Sequence, residues 1–207
     1  MCKKRESRQD PDEGRLVVRL FIEAVMDDSV LDAVWQVGER MRREVSFPES
    51  AMRWVKRDAM HLTLRFLGEV EEAGLVHVIE AMTTLEGSGR LRVRLDRVGA
   101  FGGRRPRVIW VGIAEDEGLE KLRGVRTQLD KALAVAQFEA ESGPYRPHLT
   151  LGRVRCQATK PQLASIRSTV DAAPALSIES VVARVALVES TLLKDGPRYR
   201  RLAMMEL

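Results

Sequence analysis

PHLTLGR, at residues 147–153, has a near-copy upstream in HLTLRFL, at residues 61–67, and the chain is organised around these two stretches. The tetrapeptide HLTL therefore occurs twice, and two of the three histidines in the protein, His61 and His148, open the two copies. A given tetrapeptide is expected to recur by chance in such a chain on the order of once in a few hundred cases. The repetition indicates two copies of one functional motif.

Each copy has the pattern of a half-buried β-strand, because apolar and polar residues alternate along it. In the first strand the two faces carry apolar and polar residues respectively, namely Leu62, Leu64 and Phe66 against His61, Thr63 and Arg65. The same alternation places His148 and Thr150 on one face of the second strand. A lone histidine in a strand is usually structural. Two histidines in identical sequence contexts, each beside a threonine on the same strand face, indicate a functional site.

Length and composition predict a globular protein with one large domain or two small ones. The chain has 207 residues, of which 44% are hydrophobic and 31% charged, and 34 basic against 30 acidic residues give a net charge of +4. This mild excess is compatible with an anionic partner. Cys2 and Cys156 form no CxxC motif, which predicts a reducing compartment. The sequence has no apolar run of membrane-helix length and no signal core, so we expect a cytoplasmic protein without a membrane partner.

The chain divides into a charged leader at residues 1–14 and a folded part at 15–207. The leader is predicted to be disordered, with a basic arm that contacts nucleic acid as the alternative. In the folded part, strands are predicted at 16–24, 52–56, 60–67, 91–96, 108–113, 147–153, 181–189 and 199–205. Helices are predicted at about 28–43, 69–85, 115–136 and from 159. The strands at 52–56 and 60–67 are expected to pair as a hairpin, and Gly68 is expected to end the second.

The two halves of the chain repeat the same order of strand, helix, HLTL strand, helix and strand. The HLTL copies are 87 residues apart, and the strands that begin at 91 and 181 are 90 apart. A fixed internal offset predicts two copies of one supersecondary unit, roughly 15–100 and 107–190. We therefore expect an α+β protein with antiparallel-rich sheets inside, helices outside, and both HLTL strands at a shared cleft.

Two imidazoles that face one reacting atom can perform concerted acid–base catalysis near neutral pH. Threonine hydroxyls can donate hydrogen bonds to non-bridging oxygens, and arginine can bind phosphate, so the set suits a phosphodiester substrate. The sequence lacks a nucleophile elbow, a P-loop and a dinucleotide fingerprint, and no carboxylate stands at ligand spacing near either motif. No cofactor or metal is therefore expected.

The sequence resembles the two-histidine (2H) phosphoesterase superfamily. The shared features are FLGEV after the first HLTL, PHLTLGR at the second, and the segments RLFIEA, RVIWVGI and VALVES. Within the superfamily it is similar to the RNA 2′,3′-cyclic phosphodiesterases, also called 2′-5′ RNA ligases, over residues 15–207. The resemblance implies a bilobal, pseudo-twofold fold with a central groove. It also implies metal-independent opening of a terminal 2′,3′-cyclic phosphate to a 2′-phosphate.

The resemblance assigns His61 and His148 as catalytic residues, with Thr63 and Thr150 as substrate-binding residues. It implies that His148 activates water and that His61 protonates the departing ribose O3′. Arg153 matches an arginine found five residues after the second histidine. Strict alternation turns Arg153 away from the site, so this assignment requires a bulge at Gly152.

Several alternatives remain open at this stage. The substrate could be a small cyclic nucleotide or a nucleotide-sugar cyclic phosphate. The protein could also be an RNA- or nucleotide-binding module with little turnover, for which the basic stretches at 104–107 and 153–155 provide charge. Ligation could occur as the reverse reaction. Phe21, Phe101 and Tyr145 could stack on a base or pack in the core. A monomer is expected, and His77 is expected at the surface.

Overall fold

The computed structural model describes residues 17–44, 51–193 and 196–207. Within these ranges the strands and helices follow one another along the chain as follows: β1 (Val17–Ala24), α1 (Asp28–Glu44), β2 (Met52–Trp54), β3 (Leu62–Glu71), α2 (Leu75–Thr83), β4 (Leu91–Phe101), β5 (Val108–Ile113), α3 (Glu117–Val135), β6 (His148–Val154), α4 (Lys160–Asp171), β7 (Ile178–Val182), β8 (Arg184–Leu193) and β9 (Gly196–Glu206). The predictions for the leader at 1–14 and for Cys2 lie outside the described residues.

One antiparallel sheet contains these strands in the order β7-β4-β5-β6-β3-β1-β8-β9, and β2 pairs with β6. The two HLTL strands, β3 and β6, are central neighbours. They meet in a short seam, with Leu62 paired to Leu149. Strands β1 and β5 flank this central pair, which gives the sheet the approximate twofold order expected from the repeat. The predicted α+β class with antiparallel-rich strands is confirmed.

The third strand of each repeat lies in the other half of the sheet. Strand β4 belongs to the first repeat but pairs with β5, whereas β8 belongs to the second and pairs with β1. The short connection after Phe101 makes β4 and β5 antiparallel neighbours, because six residues cannot carry the chain across the sheet. The repeats at 15–100 and 107–190 therefore do not coincide with the two halves of the sheet.

The helices cover the sheet because each has an apolar stripe that faces the strand leucines in one continuous core. Helix α1 buries Val30, Leu31 and Val34. Helix α3 is capped by Asp116, whose carboxylate accepts hydrogen bonds from the backbone amides of Gly118 and Leu119. Helix α4 begins with a capping box between Thr159 and Gln162. The predicted helices at 28–43, 115–136 and from 159 are confirmed.

The predicted hairpin between 52–56 and 60–67 is wrong. Strand β2 pairs with β6 instead, Met52 with Val154 and Trp54 with Gly152. The intervening segment forms a 3₁₀ turn, and its Arg57 is held by helix α1 through the carboxylates of Asp28 and Asp32, at 2.8 and 2.7 Å. These ion pairs attach the turn to α1.

Three other predicted features differ in the structure. Strand β3 continues past Gly68 to Glu71, so α2 begins only at Leu75. The pairing of β3 with β1 contains two register shifts, and these break the alternation: Arg65 is buried and Phe66 is exposed. The predicted strand at 181–189 is two strands, β7 and β8, which separate at Ala183 and pair with opposite halves of the sheet.

Candidate active site

The central seam brings the two HLTL motifs together. Leu62 and Leu149 are paired and fully buried on the core face. Extending this antiparallel register by one residue places His61 across from Thr150, and Thr63 across from His148. Because side chains alternate, all four project on the face opposite to the leucines, where each is partly exposed. The fold thus juxtaposes two imidazoles and two hydroxyls in a twofold arrangement.

Both imidazoles are oriented by the same backbone device. Nδ1 of His61 lies 3.0 Å from the carbonyl oxygen of Ala59, and Nδ1 of His148 lies 2.8 Å from that of Arg146. A carbonyl only accepts, so each Nδ1 must carry the hydrogen and donate it. In the neutral rings this leaves Nε2 unprotonated and available for proton transfer. The two histidines therefore have the same tautomer when they are neutral.

Aromatic rings enclose each histidine. Phe21 and Tyr199 lie 4.6 and 4.9 Å from the ring of His61, between centroids. On the other side, Phe101 lies 4.9 Å and Trp110 6.3 Å from His148. Phe21 and Phe101 are thus at the site, in contact with the histidines. Tyr199 and Trp110 were not among the residues predicted for the site. No sequence pattern pointed to Tyr199, because it lies on the last strand, far from both HLTL motifs in the chain.

Two glycines create the space for the Trp110 ring. A Cβ atom at Gly99 would lie 2.3 Å from the indole, and one at Gly112 would lie 2.6 Å from it. Gly99 pairs with Trp110 across β4 and β5, while Gly112 pairs with His148 across β5 and β6. The ring therefore lies along the sheet towards His148. One glycine lies across the sheet from Trp110, and the other lies two residues after it in the same strand. Glycines at such positions are the sequence signal that could have identified Trp110 as a site residue.

Burial lowers the pKa of both histidines. The pKa of His61 falls to about 4, mainly through desolvation, with smaller contributions from the charges of His148 and Arg153. The pKa of His148 is also lowered, again mainly by desolvation and then by Arg153. The carbonyls of Ala59 and Arg146 oppose these shifts. Both rings are thus neutral at pH 7 in the free protein, and an anion bound between them would raise both pKa values.

Arg153 lies next to a register shift in β6. Trp110 pairs with Thr150, but the preceding Ile109 pairs with Gly152, so Leu151 is the extra residue. The positive charge of Arg153 acts on His61, His148 and Tyr199. The required irregularity is therefore present, one residue before Gly152. Arg153 is also the most exposed of the five predicted site residues.

Tyr145 packs as a structural residue. Its hydroxyl donates to the carbonyl of Thr63 at 3.2 Å, and the guanidinium of Arg126 lies 5.0 Å from its ring centroid. Burial raises the pKa of Tyr145 accordingly. Arg126 also donates to the carbonyl of Leu64, at 2.6 Å. The core-packing alternative for Tyr145 is thus supported, and the loop before His148 is fastened to the strand that carries Thr63.

A buried charged cluster completes this attachment. Arg65, only 2% exposed, donates to the carbonyl of Glu139 and lies 3.4 Å from Asp130 and 3.6 Å from Glu141. Arg126 contacts the same two carboxylates, at 2.6 and 3.1 Å. Two buried guanidinium groups therefore share two carboxylates behind the site. The register shift in β3 turns Arg65 into this cluster and away from Thr63.

A polar cavity of about 530 Å³ adjoins His61 and Tyr199. Its wall includes Glu23, which is 6% exposed and accepts a hydrogen bond from Arg201 at 2.7 Å. Burial raises the pKa of Glu23, and Arg201 opposes the shift. The cavity has the volume of a small-molecule site and lies beside the ring of His61.

Neither a metal cluster nor a membrane span is evident in the part of the chain that the structure describes. No three histidine, cysteine, aspartate or glutamate side chains there are grouped to hold an ion. No helix there has the length and apolarity needed to cross a bilayer. The third histidine, His77, lies on α2 with its side chain 59% exposed, as expected.

Several known proteins with similar sequences have the same name. Residues 30–192 match the family model described as the 2′-5′ RNA ligase superfamily. An RNA 2′,3′-cyclic phosphodiesterase from Aeropyrum pernix is 31% identical over 164 residues, 79% of this chain and 90% of that protein. A protein of the same name from Aquifex aeolicus is 30% identical over 194 residues, 88% of this chain and 94% of that protein.

Solved structures share the fold. Escherichia coli LigT in complex with 3′-AMP superposes with a TM-score of 0.71 at 23% identity, covering 93% of this chain and 99% of that one. TT0787 of Thermus thermophilus superposes with a TM-score of 0.68 at 26% identity, covering 91% and 97%. Together with the paired HLTL motifs on adjacent central strands, these matches show that the chain belongs to the 2′-5′ RNA ligase superfamily, which confirms the resemblance to 2H phosphoesterases.

Proposed function

We propose that the protein hydrolyses the terminal 2′,3′-cyclic phosphate of RNA to a 2′-phosphate. The observation that carries the proposal is the pair of His–Thr sets facing each other across the β3–β6 seam. The name shared by the relatives, RNA 2′,3′-cyclic phosphodiesterase, supports the same substrate class. A binding module would need the charge and the groove, but it would not need two oriented proton-transfer groups.

The reaction needs one base, one acid and a clamp on the phosphate. His148 Nε2 takes a proton from water, the water oxygen attacks phosphorus, and the bond from phosphorus to O3′ breaks on the opposite side. His61 gives its proton to the departing O3′. Thr63 and Thr150 donate to the non-bridging oxygens, and Arg153 contributes positive charge. The twofold arrangement supports this scheme because in-line displacement requires base and acid on opposite sides of the phosphate.

The low pKa of His61 favours a second division of labour. A histidine that is neutral above about pH 4 is well prepared to act as the base, so His61 would activate water and His148 would be the acid. In the first division, His61 gains its proton only once the anionic phosphate is bound. Both divisions use the same two residues and the same geometry.

An activated substrate separates the two divisions. A phosphodiester with a p-nitrophenolate leaving group needs little protonation as it departs, so a variant that lacks only the acid keeps most of its activity on this substrate. The first division predicts that His61→Ala is rescued in this way and that His148→Ala is not. Rescue of His148→Ala alone would establish the second division.

The assay that tests the function uses an oligoribonucleotide ending in 2′,3′-cyclic phosphate, with EDTA present throughout. We expect turnover of this end, at a rate unchanged by the chelator, and weaker turnover of free cyclic mononucleotides. Better turnover of the mononucleotides would identify a small-nucleotide phosphodiesterase. Binding of the oligonucleotide without turnover would identify a binding module.

We also propose a cytoplasmic monomer. One chain supplies both HLTL motifs to a single site, so no second subunit is needed to complete it. An RNA substrate supports the cytoplasmic location. Light scattering on the purified protein should give the mass of one chain, 23.3 kDa. A stable dimer would contradict this proposal without affecting the site.

A further inference from the structure

A second concave surface lies between the β4–β5 loop and helix α4, and we call it the α4 groove. Its volume is about 850 Å³. Its lining combines basic and apolar side chains, including Arg104, Arg105, Lys160, Arg167, Leu163 and Ala164. Asp171 is the one carboxylate among its described lining residues. The groove is thus strongly cationic, and it is separate from the cavity beside His61.

Three of the four cations have no carboxylate partner among the residues that the structure describes. Arg167 is engaged, because it binds the carboxylate of Asp171 at 2.8 Å and approaches the carbonyl of Gly103 at 3.5 Å. Arg104, Arg105 and Lys160 form no ion pair with a carboxylate among the described residues. Positive charge beside apolar side chains attracts an extended anion such as a nucleic-acid strand, whose sugars or bases can contact the apolar groups.

The basic loop that forms one side of the α4 groove begins next to the candidate active site. Phe101, whose ring lies 4.9 Å from that of His148, is the last residue of β4 and leads directly into the basic loop. The loop is tight, since the amide of Arg107 donates to the carbonyl of Phe101 at 2.7 Å and that of Arg105 to Gly102 at 3.1 Å. Arg105 is four residues from Phe101, so its Cα is at most about 14 Å away.

We propose that the α4 groove binds backbone phosphates of the RNA strand on the 5′ side of the terminal cyclic phosphate. The inference rests on the proposed function, because it assumes that the cyclic end lies between His61 and His148. The strand then leaves the site past Phe101 and crosses the basic loop. Arginine and lysine contacts to phosphate carry no sequence information, so the groove favours long RNA ends over mononucleotides without selecting bases. It supplies affinity and leaves the chemistry to the histidines.

The test compares two substrates in the full-length protein. One is a 2′,3′-cyclic mononucleotide and the other an octaribonucleotide with the same cyclic end. Arg104→Ala/Arg105→Ala should raise KM for the octamer about tenfold, with kcat and mononucleotide turnover unchanged. For single strands, each lost phosphate contact lowers the salt dependence of log affinity by about 0.7, so the double variant should lower it by about 1.4. Equal effects on both substrates, or none on the octamer, would overturn the proposal.

The matched control is Arg90→Ala/Lys131→Ala, which removes the same charge from exposed positions that do not line the groove. Arg90 stands just before the opposite end of β4 from Phe101. The control should leave KM for the octamer unchanged, and a tenfold rise there would show that only net charge matters. An octamer with a 3′-hydroxyl end, followed by fluorescence anisotropy, tests the groove without chemistry. Wild-type protein inactive on both substrates would defeat the proposed function, while anisotropy would still decide the groove.

Discussion

At the scale of single residues, the site depends on two histidines whose surroundings are nearly equivalent. Each donates from Nδ1 to the carbonyl two residues earlier, each has aromatic neighbours, and each has its pKa lowered by burial. The equivalence comes from the duplicated motif and from the twofold order of the strands. It gives two imidazoles of similar chemistry, which must take opposite protonation states during the reaction.

Replacing either of the histidines proposed to be catalytic should abolish activity while the fold is retained. We expect His61→Ala and His148→Ala each to lower kcat/KM by about 10²–10⁴-fold, since each loses one proton transfer. The exposed His77 is the matched control, and His77→Ala should keep full activity. Thermal unfolding should show that all three variants are folded. A folded His61 or His148 variant with near wild-type activity would remove that residue from the mechanism.

The lowered histidine pKa values predict an acidic optimum for kcat/KM. This parameter reports the free enzyme, whose singly protonated pair is most populated between its two pKa values. One is about 4, and the other lies below the ordinary value of 6.5. We therefore expect kcat/KM to peak below pH 6.5 and to fall as the pH rises further. Bound phosphate raises both pKa values, so kcat should peak at higher pH. A kcat/KM maximum at or above pH 7 would contradict the burial argument.

At the scale of secondary-structure elements, the critical feature is the short β3–β6 seam. Among the described residues the two strands share one register pair, Leu62–Leu149, so other contacts must fix their relative position. Tyr145 and Arg126 supply them by donating to the carbonyls of Thr63 and Leu64. The side chains come from the loop before β6 and from α3. They therefore connect the element that positions His148 to the strand that carries Thr63.

Removing the Tyr145 hydroxyl should loosen this seam. Tyr145→Phe keeps the ring beside Arg126 but loses the hydrogen bond to Thr63, which should cost about 1 kcal/mol of unfolding free energy. We expect kcat to fall by up to about 10²-fold because the two motifs lose their alignment, while KM changes little. Thr127→Val is the control, since it removes a similar bond, from Thr127 Oγ1 to the carbonyl of Arg123, away from the site. Equal kcat in the two variants would show that Tyr145 only stabilises the fold.

At the scale of the whole molecule, the exchanged third strands make the two halves of the sheet interdependent. Strand β4 of the first repeat supplies Phe101 to His148, and β9, which pairs with β8 of the second repeat, supplies Tyr199 to His61. Each histidine is therefore enclosed by residues distant in sequence. The result is one site with two unequal sides, of which only the His61 side adjoins the cavity that contains Glu23 and Arg201.

This inequality predicts a single product. The cyclic phosphate has two ribose oxygens on phosphorus, and only the one opposite the attacking water can leave. A fixed acid histidine reaches one of them, so we expect a 2′-phosphate with departure of O3′. Phosphorus NMR of the product against 2′- and 3′-phosphate standards makes the measurement. A mixture, or a 3′-phosphate, would show that the substrate binds in another orientation.

The sequence alone determined the class of fold, and it predicted the four residues at the centre of the candidate site. Repetition of HLTL identified His61, Thr63, His148 and Thr150, because a tetrapeptide with alternating polarity fixes both strand type and shared face. Helical periodicity and capping residues likewise located α1, α3 and α4. These features are local, so the residues that encode them are close together in the chain.

Only the tertiary structure decided the features that depend on contacts between distant segments. Strand β2 pairs with β6 rather than β3, Arg65 turns into a buried charged cluster, and Tyr199 reaches His61 from the last strand. Register shifts caused the second of these differences, since one extra residue reverses the alternation that the sequence pattern assumes. Pairing partners and burial arise from the packing of the whole chain. The lowered histidine pKa values, which follow from that burial, therefore could not be predicted from the motif.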